Sequence, residues 1–431
     1  MTMNNKQQVW ERRRRLPIKL SFSALILVLG PSDAWGEAGA IGLLIYLAVY
    51  IFSKAITAEL ASTSKNWVMN SYRFSPLLLF LGGIFPILIK LGDSNFGILN
   101  EFIIFTTIVP ILFGAYEGAY WVGYHDFRNQ LKEHNQSDEK SIDLFHQMEV
   151  ICTVAGALIA AWLKSLETAP DFFAGTIAAS LALVAFFIPW NKAVMIPGEN
   201  FGSKSTLHSI KNGKKISQPF AVVQFVVQNA MRFAALQIGV LYLGLLVALA
   251  ETSGYVISRV STSWHDLHKR VSKLETNISE LTGQSRDLDS SVSTRSMNDK
   301  LWTYGYLASG IGIFVMILGN NIGMPVFVVG WFIAQSSIRG IMRPIEISLA
   351  SEHLKDEKGR KSYGIRERLK FRGHVKFAMF FTPLLIFSEV NNLLKPDYII
   401  IAWLSLGMVI CAKIYTDISN NPSVYFAKNR S

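Results

Sequence analysis

The chain has 431 residues, of which 50% are hydrophobic, 12% aromatic and only 17% charged, against about 25% charged in an ordinary globular domain. Mean hydropathy is +0.29, and the apolar residues come in long blocks between short polar stretches. That pattern excludes secreted, disordered, fibrous and disulfide-scaffold classes and reads as an all-α, polytopic membrane protein. The net charge of +11 would suit a nucleic-acid partner only if it gathered on one surface, so its placement along the chain matters.

A helix needs about 20 apolar residues to cross the hydrocarbon. In chain order the predicted spans are 16–35, 37–61, 74–91, 99–124, 148–166, 171–190, two within 216–258, then 301–319, 323–345, 375–392 and 397–416. The first follows Arg12, Arg13, Arg14 and Arg15. Arg14-Arg15-Leu16-Pro17-Ile18-Lys19 loosely resembles a twin-arginine signal. Another span begins within a few residues, so the segment reads as a retained first helix. Cys152 and Cys411 sit far apart in apolar blocks and say nothing of redox compartment.

The block 216–258 is resolved by charge. The stretch 352–376 carries nine Lys and Arg and belongs on the cytoplasmic side, as do the loops 259–300 and 191–215. Two loops on one side are joined by an even number of spans, so 216–258 crosses twice, turning near Asn229–Arg232. Twelve spans result, with both termini cytoplasmic. Thirty-four of the 42 Lys and Arg then fall inside and four (Lys90, Lys164, Arg232 and Lys395) fall outside. Little charge is left for a nucleic acid to explain. The expected location is the inner, cytoplasmic membrane.

The expected domains are a six-helix bundle over 1–190, a basic central loop at 191–215, a second six-helix bundle over 216–416 with an insert at 259–300, and a tail at 417–431. The halves echo each other: Ala40-Ile41-Gly42-Leu43-Leu44-Ile45-Tyr46 in the second span matches Gln237-Ile238-Gly239-Val240-Leu241-Tyr242 in the eighth. Spans four and ten each run into a long charged cytoplasmic loop. Span four ends Gly118-Ala119-Tyr120-Trp121-Val122-Gly123-Tyr124-His125-Asp126. Span ten ends Arg339-Gly340-Ile341-Met342-Arg343-Pro344, followed by Gly359-Arg360-Lys361-Ser362. These segments are similar to patterns of the major facilitator superfamily, and the resemblance covers nearly the whole chain. It implies alternating access between two bundles, with a small solute bound at midplane. Asp126 and Arg360 would then order cytoplasmic helix ends as gating residues. The family's usual Gly-x-x-x-Asp-Arg loop after span two is replaced by Ser62-Thr63-Ser64-Lys65-Asn66-Trp67-Val68-Met69-Asn70-Ser71-Tyr72-Arg73, without its glycine or acid.

The insert has its own period. Leu267, Val271, Leu274, Ile278, Leu281, Leu288 and Val292 alternate by four and three, with Ser285 in the remaining place. That is an a/d seam. The segment 264–292 packs as an amphipathic helix or helical hairpin on its own protein, pairs with another copy or a partner, or is a mostly disordered loop.

No enzymatic constellation, Walker A loop or Cys/His cluster is visible, and no cofactor or resident metal is expected. Ionisable residues inside spans are the functional markers, because a charge at the bilayer centre is costly. Glu117, nine residues before Asp126 and so about 13 Å up the helix, is the leading proton-coupling residue. Tyr116, Tyr120, Trp121 and Tyr124 around it could bind an organic solute. Glu251, Arg343 and Glu346 are further substrate or coupling residues, the last two also readable as a pair three residues apart on one helix. Glu149 and Lys413 read as snorkelling span-end charges. The expected activity is proton-coupled secondary transport of a small organic solute. The alternative is a carrier-like scaffold that recruits partners through 264–292.

Overall fold

The computed structural model describes residues 3–28, 30–61, 65–92, 98–133, 139–165, 170–188, 215–228, 244–257, 259–260, 290–346, 366, 368–376, 379 and 398–420. There is no strand among the described residues. Lipid offers no partner to a free N–H or C=O, so each span satisfies its backbone internally as a helix.

The first half runs α1 (Met3–Val28), α2 (Pro31–Ala61), α3 (Lys65–Gly92), α4 (Ile98–Ile103), α5 (Val109–Glu133), α6 (Glu139–Ser165) and α7 (Pro170–Phe187). A π-helical stretch, Ile104–Ile108, joins α4 to α5 and makes them one span. The second half holds α8 (215–228), α9 (244–257), α10 (Ser290–Ile322), α11 (Met324–Ser336), α12 (368–376) and α13 (Tyr398–Asn420). α11 continues through a second π-helical stretch, Ser337–Met342, to Glu346. The π stretches thus fall in spans four and ten, the pair matched by the internal repeat. Both ends of the block 216–258 are helical, over 215–228 and 244–257, and the turn predicted near Asn229–Arg232 lies outside the described residues.

Neighbours in space are not neighbours in sequence. α1 packs on α6 and α7, α2 on α5, α3 on α5 and α7, and α10 on α11 and α13. The α10–α11 turn takes a single residue, Gly323. Its φ of 132° is open to glycine and strained for other residues, and its N–H closes the end of α10 onto Gly319 O at 2.8 Å.

The burial pattern is inverted relative to a water-soluble protein. Ile56, Leu60, Ile151, Trp162, Phe187 and Leu307 are exposed, whereas Arg14, Arg15, Glu117, Glu149, Glu346 and Arg366 are buried. Lipid is the solvent that favours both. Among the described residues four helices are long and apolar enough to cross a membrane, over Ile41–Ala61, Glu101–Tyr124, Lys300–Gly319 and Met324–Glu346. The protein is a polytopic membrane protein.

α10 begins within the predicted insert. Its 33 residues would extend about 50 Å against about 30 Å of hydrocarbon, so its Ser290 end projects from the membrane. Leu267, Val271, Leu274, Ile278 and Leu281 lie outside the described residues, as do Arg360, most of the loop 191–215 and most of the predicted span 375–392.

Candidate functional site

The ends of the spans nearest the Lys- and Arg-rich loops form a basic end of the molecule. Its chemistry starts in α1. The arginine run reads in sequence as a solvated flank, yet α1 extends back to Met3 and carries Arg14 and Arg15 into the bundle. Pro76 explains where Arg14 goes. A proline has no N–H for the carbonyl four residues earlier, and that carbonyl belongs to Tyr72. Arg14 donates to Tyr72 O and, at 2.7 Å, to Arg73 O, while its guanidinium lies 4.5 Å from the Tyr72 ring centre. Ser75 Oγ donates to Tyr72 O as well, at 2.9 Å.

One position on, Arg15 forms an ion pair with Glu149 of α6 and covers the Tyr124 ring at 3.6 Å. Glu149 is therefore a buried structural partner and not the snorkelling charge its place near a span end suggests. One helical turn further, Lys19 sits 4.4 Å over the Trp121 ring. Three successive cations of α1 thus reach α3, α6 and α5.

Tyr116, Tyr120 and Tyr124 stack along one face of α5, with ring centres 5.5 and 5.9 Å apart. Their spacing of four residues makes this ladder. Tyr72 and Phe22 close on it from α3 and α1 at 5.6 and 5.0 Å. All three tyrosines are buried, so the structure places them in the packing of the first half. Trp121 is half-buried and turns toward Lys19.

Glu117 faces α2, where Lys54 forms an ion pair with it. Two glycines permit the approach: a Cβ at Gly114 would collide with Tyr50 O, and one at Gly118 with Lys54 O. Lys54 also lies 4.5 Å from the ring centre of Phe371 in α12. Phe371 joins Ala55, Ala58, Ala61 and Val122 in one apolar cluster. This first-half pair therefore abuts the second half.

In the second half Glu251 of α9 pairs with Arg339 in the π-helical stretch of span ten. Close packing aligns them: a Cβ at Gly254 would lie 2.7 Å from Arg339 Cβ. Lys19 and Arg343 stand within electrostatic reach of Glu251, and Lys19 also feels Glu149 and Arg15. Glu346 turns elsewhere, accepting from Ser217 Oγ at 2.8 Å and meeting Arg366 at 3.5 Å, both charges 1% exposed. Arg343 and Glu346, adjacent on one helix face, serve different neighbourhoods.

The halves also meet through Glu59, at the end of α2, which binds Arg372 at 2.5 Å and Arg368 at 3.7 Å. Asp126 lies on α5 near the same end. Lys413 pairs with Asp417 one turn on, at 2.5 Å. Among the described residues no group of three or more His, Cys, Asp or Glu could hold a metal.

Of the residues expected from sequence, the structure brings Glu251, Arg343 and Trp121 into one neighbourhood with Lys19. It separates Glu117 and Glu346 into buried pairs of their own. Sequence reasoning missed Lys54, Arg15, Lys19, Glu149 and Arg339. The available signal was the ionisable residue set inside apolar surroundings, as Lys54 is within Ile41–Ala61.

No protein-family model and no curated protein sequence matches the chain. Solved structures do. A D-xylose-proton symporter superposes with a TM-score of 0.64 at 13% identity, covering 95% of this chain and 96% of that one. A bacterial homologue of the iron transporter ferroportin, in an inward-facing state, gives 0.61 at 14%, covering 95% and 98%. The nucleoside transporter NupG gives 0.57 at 11%, covering 95% and 98%. Agreement over nearly the full length of such different sequences is agreement of fold: this chain has the two-bundle, twelve-span fold of the major facilitator superfamily.

Proposed function

We propose that the protein is a secondary transporter of a small organic solute, working by alternating access, with its basic end and both termini in the cytoplasm. The observation that carries this reading is the set of charged contacts where the two halves meet: Lys54, paired with Glu117, lies 4.5 Å from the Phe371 ring centre, and Glu59 binds Arg372 and Arg368. Lipid penalises such charges unless they are paired or wetted, so a cluster spanning the seam is what a moving, water-filled passage leaves behind. The similar folds supply a precedent, since they belong to carriers of a sugar and of nucleosides.

Proton coupling is assigned to Glu117. Lys54 holds it as a carboxylate while Phe371 of α12 packs on Lys54. If the halves rock, Phe371 withdraws and water reaches Lys54; the pair weakens and the acid can take up a proton. Glu117→Gln keeps shape and hydrogen bonding but removes the titration. In proteoliposomes with an imposed proton gradient it should abolish solute accumulation and leave counterflow exchange measurable. Accumulation by Glu117→Gln with the normal pH dependence would make Glu117 structural.

A second reading is favoured by α10, whose Ser290 end projects toward the heptad segment. A carrier fold retained as a scaffold would recruit partners there. Vesicles that move no solute, together with an assembly lost on deleting 264–292, would support it.

A further inference from the structure

We infer that Trp331 and Gln335, in the part of span ten before its π-helical stretch, form a solute-recognition face whose ligand is uncharged and hydroxyl-bearing. The assignment rests on the transport reading above and adds the chemistry of the substrate to it.

The faces of α11 can be told apart by their neighbours. Gly330 and Ala334 lie on α10: a Cβ at Gly330 would stand 2.5 Å from Met316 N, and one at Gly312 2.5 Å from Ala334 N. Val329 and Phe332 are exposed, at 53% and 40%, and meet lipid. Trp331 and Gln335 are four residues apart and so stand one turn apart on a different face. Both are 0% exposed, so this face is turned into the protein.

The face is polar and its polar groups are unmet. The indole Nε1 of Trp331 and both ends of the Gln335 amide, Oε1 and Nε2, have no hydrogen-bond partner among the described residues. Exchanging the oxygen and nitrogen of the amide changes nothing, because both are orphaned. Buried indoles and amides ordinarily find partners, and lipid offers none in their place. Neither side chain has surface that water can touch, so the cost is relieved only when this face parts from what it packs against. The joint for that movement is close by. The π-helical stretch Ser337–Met342 begins two residues after Gln335, and such stretches are where helices bend and where functional sites gather.

The orphaned atoms decide the ligand. They are two donor nitrogens and one acceptor oxygen, and none carries a formal charge. A hydroxyl both donates and accepts, so a solute with several of them satisfies all three atoms at once. An anion would satisfy the nitrogens but set its charge against Oε1. A cation would use Oε1 and leave both nitrogens unmet. The indole ring beside them offers an apolar wall to the carbon skeleton of the solute.

Gln335→Met removes both orphaned amide atoms at nearly the same shape and helix preference. Most buried substitutions lower the thermal midpoint. This one should raise it by about 2 °C or more, because stability is given up at this face for binding. Trp331→Phe, which keeps a ring and drops the N–H, should not lower the midpoint by more than its lost area explains. The full-length protein in detergent is then unfolded with xylose, glucose, uridine, succinate and tetraethylammonium. At equal ionic strength the neutral hydroxyl-bearing probes should raise the parent's midpoint saturably and compete with one another. Succinate and tetraethylammonium should not. Gln335→Met should weaken binding of the neutral probes about tenfold or more, the scale of one or two lost hydrogen bonds. The assignment is overturned if no neutral probe shifts the parent, if only a charged one does, or if Gln335→Met binds as tightly as the parent. A midpoint lowered by Gln335→Met also overturns it, since the amide would then be supporting the fold. Proteoliposome uptake of the same probes separates the two readings. A neutral probe that binds through Gln335 yet is never moved keeps the site and sinks transport. Uptake of succinate, undisturbed by xylose and by Gln335→Met, keeps transport and sinks the site.

Discussion

Each half of the molecule holds an acid deep in a span with a basic partner beside it, and the two pairs are built oppositely. Lys54–Glu117 is sealed, its side chains 13% and 11% exposed, because Gly114 and Gly118 let α5 lie directly on α2. Arg339–Glu251 is open, at 19% and 28%, with Lys19 and Arg343 around it. A sealed pair depends mainly on its partner, since little water reaches either charge. An open pair shares its charge with the medium that reaches it. The first suits a lock that is made or broken as a unit, and the second suits a contact that can be exchanged.

The comparison can be tested by stability, and its extreme case sets the upper bound. Glu346 and Arg366 are the most deeply buried opposite charges among the described ion pairs, each 1% exposed. Glu346→Gln takes the buried carboxylate away from Arg366 and Ser217 in a site nearly closed to water, and should cost about 3–5 kcal/mol, read as loss of folded protein or a sharply lowered thermal midpoint. The sealed pair comes next. Lys54→Met alone should cost about 3 kcal/mol, and adding Glu117→Leu should recover most of it, because two apolar side chains need no partner. Arg339→Met should cost only about 1 kcal/mol, since the Glu251 side chain is 28% exposed and depends less on its partner. If Arg339→Met destabilises as much as Lys54→Met, or the double variant is no better than the single, the distinction between sealed and open pairs fails.

How much of this was legible beforehand depends on range. The all-helical, many-span fold follows from hydropathy and charge placement, which are properties of each segment by itself; the double crossing expected of 216–258 turns on 229–243, outside the described residues. The tyrosine ladder is legible too, as a period of four on α5. What the period cannot say is which face meets protein and which meets the passage. Glu117 and Tyr116 are neighbours in sequence yet point to different helices. The arginine run shows the limit most clearly. Charge rules place Arg14 outside the bilayer, but Pro76, 62 positions later, leaves a carbonyl that Arg14 reaches. The pairing of Lys54 with Glu117 spans 63 positions, and no local pattern encodes it.

The smallest expected stability effect belongs to the contact between the halves. The family's usual loop after span two is missing its glycine and acid, but Glu59, just before that loop, reaches Arg372 and Arg368 across the seam. These side chains are 34%, 50% and 21% exposed, so water competes for each of them, and an exposed pair of this kind contributes about 0–1 kcal/mol. Glu59→Gln should therefore leave the thermal midpoint nearly unchanged. Its position gives it leverage all the same, because the contact exists only while the basic ends of α2 and α12 are together. Removing even 1 kcal/mol from one of two conformations shifts their ratio about fivefold, while affinity for a ligand within either conformation stays the same. The variant should thus change the rate of exchange across proteoliposome membranes several-fold, and that change should shrink at high salt as the parent's own contact is screened. An exchange rate identical to the parent's at low salt would make the contact a surface ion pair with no part in the cycle. The seam would then be held by apolar packing, as around Phe371 and where Gly244 lies against Ala157 and Ala161.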